Sequence, residues 1–123
     1  DLKVKSVKFI GFVPDHQIRQ FMAQADVFLY PSLYEGFGFP PLEAMACGTP
    51  TISSNAGSLG EVLAGGAWTM GPDPEAFAEA IFEWMTHPYH LEAWRKRGIE
   101  RAREFTWQRA AQETLQLYGI VPK

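Results

Sequence analysis

Two short segments with the pattern of buried strands, joined by a helix, constrain the fold of this chain more than any other feature. Residues 26–31 (DVFLYP) are nearly all apolar, as in a strand covered on both faces, and Pro50–Ser53 is the second such segment. The Pro40–Pro41 pair between them suits the first turn of a helix that runs to about Cys47. Because alternation of strands and helices is typical of a parallel sheet covered on both faces, we predict an α/β fold.

The rest of the chain continues this alternation. Val4–Val13 alternates apolar and polar residues before it becomes fully apolar, as a strand does, and Ala67–Met70 is predicted to be a last short strand. We therefore expect a parallel sheet of about four strands with helices on both faces, in a single domain over residues 1–123. Further helices are predicted at His16–Ala25 after an Asp15 N-cap, at Leu59–Leu63, after an Asp73 cap, at Tyr89–Phe105, and from the N-cap Thr106 to Tyr118.

The composition excludes several classes of protein. The chain has 123 residues and one cysteine, Cys47, so an internal disulfide is excluded and a reducing, cytoplasmic location is predicted. No apolar run approaches the roughly 20 residues that cross a bilayer, and the first residues do not form a signal peptide. Because the sequence starts without Met and opens almost directly into a predicted strand, we expect it to be a piece of a longer protein.

The net charge of −3 is unevenly distributed. Residues 20–94 contain no Lys or Arg, whereas basic residues crowd the last third of the chain. Glu92, Glu100 and Glu104 are interspersed among those basic residues at helical spacing, which favours a solvated helix face with intrahelical pairs. No nucleic-acid partner is therefore predicted, while contact with an anionic membrane surface stays an open alternative.

The segment from Tyr34 to Pro50 carries the strongest indication of chemistry, since it has the order strand, glycine-bearing loop, helix and strand. Gly36 and Gly38 allow the loop backbone to approach a ligand closely. The amino end of the following helix presents N–H groups and the positive end of its dipole, which suit a phosphate. Because proline has no N–H, the donors must come from Leu42, from Glu43 or from the preceding loop.

Two carboxylates flank these glycines. Glu35 lies in the loop, and Glu43 is expected in the first helical turn. A carboxylate repels phosphate but accepts hydrogen bonds from the hydroxyls of ribose and hexose, so the pattern indicates a sugar-diphosphate site in which both acids converge on one pocket. The alternative stays open at this point: Glu43 is then a first-turn acid stabilised by the helix dipole, and Glu35 a solvated loop acid.

Two stretches, ADVFLYPS at 25–32 and EGFGFPPLEAMACGTP at 35–50, closely resemble the retaining nucleotide-sugar glycosyltransferases of family 4. The hallmark of that family is a pair of glutamates separated by seven residues, which Glu35 and Glu43 reproduce. The resemblance implies two Rossmann-like domains facing across a cleft, the GT-B arrangement. It identifies this chain as a fragment of the C-terminal, donor-binding domain that lacks the N-terminal acceptor domain and the first strands of its own domain.

The resemblance also implies roles for individual residues. Glu43 would bind the ribose hydroxyls, and Glu35, the catalytic residue, would contact the transferred sugar. The backbone that would hold the sugar and the diphosphate belongs to Gly36, Phe37, Gly38 and Leu42. The donor would be a UDP- or GDP-linked sugar, transferred with retention of configuration as the departing diphosphate deprotonates the acceptor. No metal and no other cofactor is expected, because no cluster of His, Cys and Asp has ligand spacing.

Several alternatives accompany this hypothesis. The Arg and Lys with which the family neutralises the diphosphate are missing from the chain, so we expect the isolated fragment to be inactive. A non-catalytic binding or assembly remnant of a GT-B protein is the alternative function. The predicted partners are a nucleotide sugar, the missing acceptor domain, a second copy paired through an uncovered sheet edge, and the inner face of a membrane. Three residues after the second strand either contact the base or ribose or belong to a capped short helix: Ser58, Gly60 and Glu61. Trp107 is expected to pack.

Overall fold

The computed structural model describes residues 6–120, in which three strands form one parallel sheet with the order β1-β2-β3. The strands are β1 (Phe28–Tyr30), β2 (Thr51–Ser54) and β3 (Trp68–Met70). The central strand β2 is buried along its whole length, as expected for a strand covered on both faces. The same prediction is wrong for β1, in which Leu29 is exposed, because β1 lies at the edge of the sheet in residues 6–120. The predicted α/β class is therefore confirmed.

Helices connect and flank these strands. Within residues 6–120 they are α1 (Asp15–Gln24), α2 (Phe39–Ala46), α3 (Leu59–Val62), α4 (Pro74–Thr86), α5 (Tyr89–Arg103) and α6 (Trp107–Leu117). Asp73 and Thr106 cap α4 and α6 as predicted: the Asp73 carboxylate accepts from the N–H of Ala76 at 3.3 Å, and the Thr106 hydroxyl accepts from Arg109 N–H at 3.1 Å. None of these helices is both long and apolar enough to span a membrane.

Two buried clusters cover the two faces of the sheet, which confirms the prediction of helices on both sides. The first, between α2, α3 and the start of β3, contains Leu42, Met45, Leu59, Val62, Leu63 and Ala67. The second joins β2 to α4 and contains Ile52, Phe77, Ala80 and Trp84. Since α2 contributes Met45 to the first cluster and is packed closely against α5, the helix that carries Glu43 is held firmly in the fold.

The predicted strand at the front of the chain is not formed over residues 6–13, and its first residues, Val4 and Lys5, lie outside the described part of the chain. Phe9 and Phe12 in this segment are almost fully exposed. Alternating apolar residues form a strand only when a neighbour pairs with their backbone groups, and β1 pairs only with β2 in residues 6–120. The sheet of the described region therefore has three strands instead of the predicted four.

Helix α1 begins one residue earlier than predicted. Pro14 occupies the N-cap position, and Asp15 is the first helical residue rather than the cap. Proline offers no side-chain acceptor, so no side-chain hydrogen bond caps this helix. The Asp15 carboxylate still lies in the first turn, where the helix dipole favours an acid.

Candidate functional site

The loop that leads from β1 to α2 is held by the segment that follows β2. Both the N–H and the hydroxyl of Ser58 donate to the carbonyl oxygen of Glu35, at 3.4 and 3.3 Å. The Ser54 hydroxyl donates to the carbonyl oxygen of Ser32. Ser58 precedes α3 but makes no side-chain capping bond to it, so the alternative of a capped short helix is not found, and Ser58 instead links α3 to the Glu35 loop.

Two glycines allow this loop to pack closely. Gly57 has φ +59°, and a Cβ there would lie 2.5 Å from the carbonyl oxygen of Glu35. Gly38 has φ +97°, and its Cβ would lie 2.4 Å from the side chain of Leu59. Any other residue would be both strained and too large at these positions. Around Gly36, in contrast, the space is open.

The carboxylate of Glu35 is tied to the end of β1. The Tyr30 hydroxyl donates to its Oε1 at 2.6 Å, and the Ser32 hydroxyl donates to the same oxygen at 2.9 Å. These hydrogen bonds lower the pKa of Glu35, the one from Tyr30 contributing most, so the side chain is ionised at neutral pH. Burial, together with the hydrogen bond and the negative charge of Glu35, raises the pKa of Tyr30 to about 12.

Glu43 has different surroundings. It is the fifth residue of α2 and therefore lies beyond the first turn, where it was expected, and its side chain is exposed. It borders a groove of about 990 Å³ that we call the α2–α6 groove, lined by side chains from residues 37–46, 58–62 and 101–113. Glu35 is not among the residues that line this groove, so the groove alone does not bring the two carboxylates together.

The amino end of α2 has few donors to offer an anion. Of its first three residues, Pro40 and Pro41 lack an N–H, which leaves Phe39. The N–H of Leu42, a predicted ligand contact, donates to the carbonyl oxygen of Gly38 at 3.4 Å within the helix. A ligand at this end of α2 would therefore depend mostly on the loop backbone before the helix.

Two arginines border the α2–α6 groove, although residues 20–94 contain no Lys or Arg. Arg101 donates to the carbonyl oxygens of Val62 at 3.0 Å and Glu61 at 2.8 Å, and Arg109 donates to the Glu113 carboxylate at 2.7 Å. The sequence analysis missed these arginines because they are far from Glu43 in sequence and reach the groove only through the packing of α5 and α6 near α2. Four glutamates also line the groove, at positions 43, 61, 104 and 113, so its formal charge is −2, which suits hydroxyl groups better than a bare anion.

Two other predictions concern the groove and its surroundings. Trp107 lines the groove with 84% of its surface exposed, so the prediction that it packs is wrong. Glu61 also lines the groove. Across residues 6–120, no three His, Cys, Asp or Glu side chains are arranged so that they could hold a metal ion.

Comparison with known proteins places these observations in a family. The sequence pattern of the family described as "Glycosyl transferases group 1" matches residues 2–101. The chain is 35% identical to the O-antigen chain mannosyltransferase B of Escherichia coli over 94% of its own length and 30% of that protein. It is 38% identical to a GDP-mannose-dependent alpha-(1-6)-phosphatidylinositol dimannoside mannosyltransferase of Mycobacterium tuberculosis, again over 94% of this chain and 30% of the relative.

Among solved structures, the chain is similar to the sucrose-phosphate synthase of Thermosynechococcus elongatus. The TM-score is 0.81 at 34% sequence identity, with 94% of this chain and 30% of that chain covered. The chain therefore spans about a third of the length of the proteins that it matches.

Proposed function

Because this chain belongs to the group 1 glycosyl transferases, we propose that it is the donor-binding part of an enzyme that moves a hexose from a UDP- or GDP-linked sugar to an acceptor. We further propose that it is the C-terminal half of a retaining enzyme of family 4. The observation that carries the proposal is the placement of Glu43. Glu43 projects from a firmly packed helix onto a groove large enough for a nucleotide sugar, and it follows a second carboxylate, Glu35, by eight positions.

In this proposal Glu43 binds the ribose of the donor. Among residues 6–120 its carboxylate has no hydrogen-bond or ion-pair partner, so both oxygens are available to a ligand. An ionised carboxylate can accept two hydrogen bonds from a vicinal diol, which is the group that a ribose presents. The acidic character of the groove supports a sugar at this position rather than a phosphate.

Glu35 is proposed to contact the transferred sugar. Its two protein donors, Tyr30 and Ser32, share Oε1, and within the described residues Oε2 accepts no hydrogen bond. A carboxylate whose pKa is lowered is a weak base, so its contribution would be to orient the sugar and to stabilise positive charge that develops on it. The departing diphosphate would then take the proton of the acceptor. For both acids to contact one donor, the ligand must extend from the groove across the glycine loop.

The chain by itself is proposed to bind a donor weakly and to transfer nothing. Charge-assisted partners for a diphosphate contribute about 1.5–3 kcal/mol each, and both arginines on the groove are engaged with protein groups. The acceptor domain and further cations would come from the rest of a protein about three times as long. This engagement of the arginines also favours the alternative function, a non-catalytic binding or assembly remnant.

Ligand-observed NMR separates the two functions. We expect saturation transfer from the chain to the ribose protons of GDP-mannose or UDP-glucose, and Glu43→Gln should abolish it. Glu79→Gln, on the exposed face of α4, is the matched control and should leave the signal unchanged. A remnant would give no ribose signal with either nucleotide, which would refute the donor-binding proposal. No glycosylated product should form when the isolated chain is incubated with donors and acceptors.

Two further parts of the proposal concern location and association. We propose a cytoplasmic enzyme, with contact to the inner face of a membrane as an alternative. The exposed Phe9 and Phe12 and the edge strand β1 support self-association of the isolated chain. Sedimentation should show a mass that rises with concentration, and a monomer at every concentration would contradict this.

A further inference from the structure

We propose that Arg101 is a positioning residue for the Glu35 loop, acting on it through α3 and through the ring of Phe105. The consequence for ligand affinity rests on the proposed function, whereas the effect on the loop itself does not. Arg101 lies on α5, far from the loop in sequence, and its side chain is 22% exposed.

The guanidinium of Arg101 holds the carboxyl end of α3. Its Nε donates to the carbonyl oxygen of Val62 at 3.0 Å, and an Nη donates to that of Glu61 at 2.8 Å. The last carbonyls of a helix have no partner within the helix, and at α3 the Glu61 carbonyl accepts a long backbone bond, 3.4 Å, from the N–H of Ala64, so the shorter bonds from Arg101 strengthen this end. The rigid fork of arginine reaches two adjacent carbonyls together, which the single ammonium of lysine cannot do in the same geometry.

The opposite end of α3 is attached to Glu35. Ser58, directly before α3, donates its N–H and its hydroxyl to the Glu35 carbonyl oxygen. Because α3 is one short turn between these two attachments, a shift of its carboxyl end is transmitted to the Glu35 backbone. There is little slack on the α5 side, since a Cβ on Gly66 would lie 2.6 Å from the Cβ of Arg101.

A second route runs through aromatic rings. The guanidinium carbon lies 4.8 Å from the ring centroid of Phe105, in the geometry of a cation–π contact. Phe105 in turn meets Phe37 edge to face with the ring centroids 5.8 Å apart. Phe37 lies between the two glycines of the loop. Arg101 therefore contacts both α3, which is bonded to the loop, and Phe105, which packs against the Phe37 ring of the loop.

An arginine on the groove wall suggests a direct bond to the diphosphate as the competing role. The contacts of Arg101 argue against it, because its donors are directed at the two carbonyls and at the Glu104 carboxylate. The two roles predict different behaviour for lysine. An arginine that acts on a phosphate as a positive charge keeps most of its function when it is replaced by lysine. An arginine whose planar guanidinium bonds two carbonyls at once does not.

The test compares Arg101→Lys and Arg101→Met with Arg103→Met, an exposed residue at the end of the same helix. Amide hydrogen exchange in the ligand-free protein should be about tenfold faster at Ser58, Val62 and Leu63 in both Arg101 variants, while strand β2 keeps its protection. The NMR shifts of the Phe37 ring should move in both. Affinity for GDP-mannose or UDP-glucose should fall about ten- to a hundredfold. Arg103→Met should change none of these.

Each other outcome bears on the proposal. The positioning role is refuted if Arg101→Lys has the amide exchange rates and the nucleotide-sugar affinity of the wild type. It is also refuted if protection from exchange falls equally throughout the sheet. If neither Arg101 variant folds, Phe105→Leu must shift Phe37 and accelerate exchange at Ser58 for the role to stand, and a wild-type pattern refutes it. If the Arg101 variants show faster local exchange but the wild-type chain itself binds no nucleotide sugar, the positioning role is supported and the proposed function is refuted.

Discussion

Glu35 and Glu43 belong to one continuous segment, yet the fold positions them by different means. The loop end is held by side chains: hydroxyls of Tyr30 and Ser32 fix the Glu35 carboxylate, and Ser58 fixes its carbonyl. The helix end is held by packing: α2 buries Met45, and Glu43 projects from the opposite, exposed side. The position of Glu35 is therefore set by hydrogen bonds and that of Glu43 by the apolar core.

Because of this difference, separate substitutions should change the charge state of Glu35 and the packing of the helix that carries Glu43. Removing a polar partner should alter the charge state of Glu35 without moving α2, and weakening the core should loosen α2 without changing the bonds to Glu35. The following predictions test that separation, and the change with the largest expected effect comes first.

Met45→Ala should lower the free energy of unfolding by about 2–5 kcal/mol, because Met45 is fully buried and its loss leaves a cavity under α2. Met85→Ala is the matched control, since Met85 is 73% exposed and its truncation should change stability little. Urea denaturation measures both. Equal losses for the two variants would show that α2 is not held by the core.

Gly57→Ala should cost about 1–3 kcal/mol, because the new Cβ would contact the Glu35 carbonyl oxygen in a left-handed backbone conformation. Gly65→Ala separates the two causes. Gly65 also has a positive φ, +75°, but nothing lies within 4 Å of its Cβ position, so this variant carries only the backbone strain. If both variants lose the same stability, the loop does not approach Gly57 as closely as described.

Tyr30→Phe should raise the pKa of Glu35 towards its ordinary value of 4.5, since the Tyr30 hydrogen bond is the largest cause of the lowered pKa. A lowered folded-state pKa contributes stability above the unfolded value, and that stability is lost as pH falls through the folded value. Wild type and variant should therefore differ most in stability near pH 7 and converge in acid, as denaturation at a series of pH values would show. Tyr34→Phe, at an exposed tyrosine, should behave as the wild type.

The smallest effect concerns the phenol of Tyr30 itself. Its raised pKa of about 12 implies stability that is fully present below pH 10 and lost as pH rises through about 12. The difference between the ultraviolet titrations of wild type and Tyr30→Phe isolates this one phenol. A midpoint near 10 would show that Tyr30 is not bound to the Glu35 carboxylate.

Much of the fold was predictable because its signals are local. The caps at Asp73 and Thr106, the proline pair of α2 and the strand β1 were each predicted from neighbouring residues, and all are present in the structure, although β1 is not buried on both faces. The strand predicted over Val4–Val13 is absent from its described part, residues 6–13, for the complementary reason. Its pattern was suitable, but a strand also depends on a partner whose presence the local sequence does not report.

The residues of the candidate site likewise fall into those predictable from local sequence and those that depend on distant parts of the chain. The two glutamates and the glycines between them were predicted from spacing and resemblance. The hydroxyls of Tyr30 and Ser32 were missed, although both lie within five residues of Glu35. The placement of Arg101 was not predictable, because it depends on the angle at which α5 crosses α2. The roles of the site residues in donor binding stay predictions.

The α2–α6 groove has walls made at different times during synthesis. Residues 37–46 leave the ribosome before residues 101–113, so Phe37, Phe39 and Leu42 pass through a period in which nothing from α5 or α6 covers them. During that interval these apolar side chains are more exposed to solvent than in the folded protein. The groove is complete only when α5 and α6 have folded against α2, so its formation is a late event in the folding of each newly made molecule.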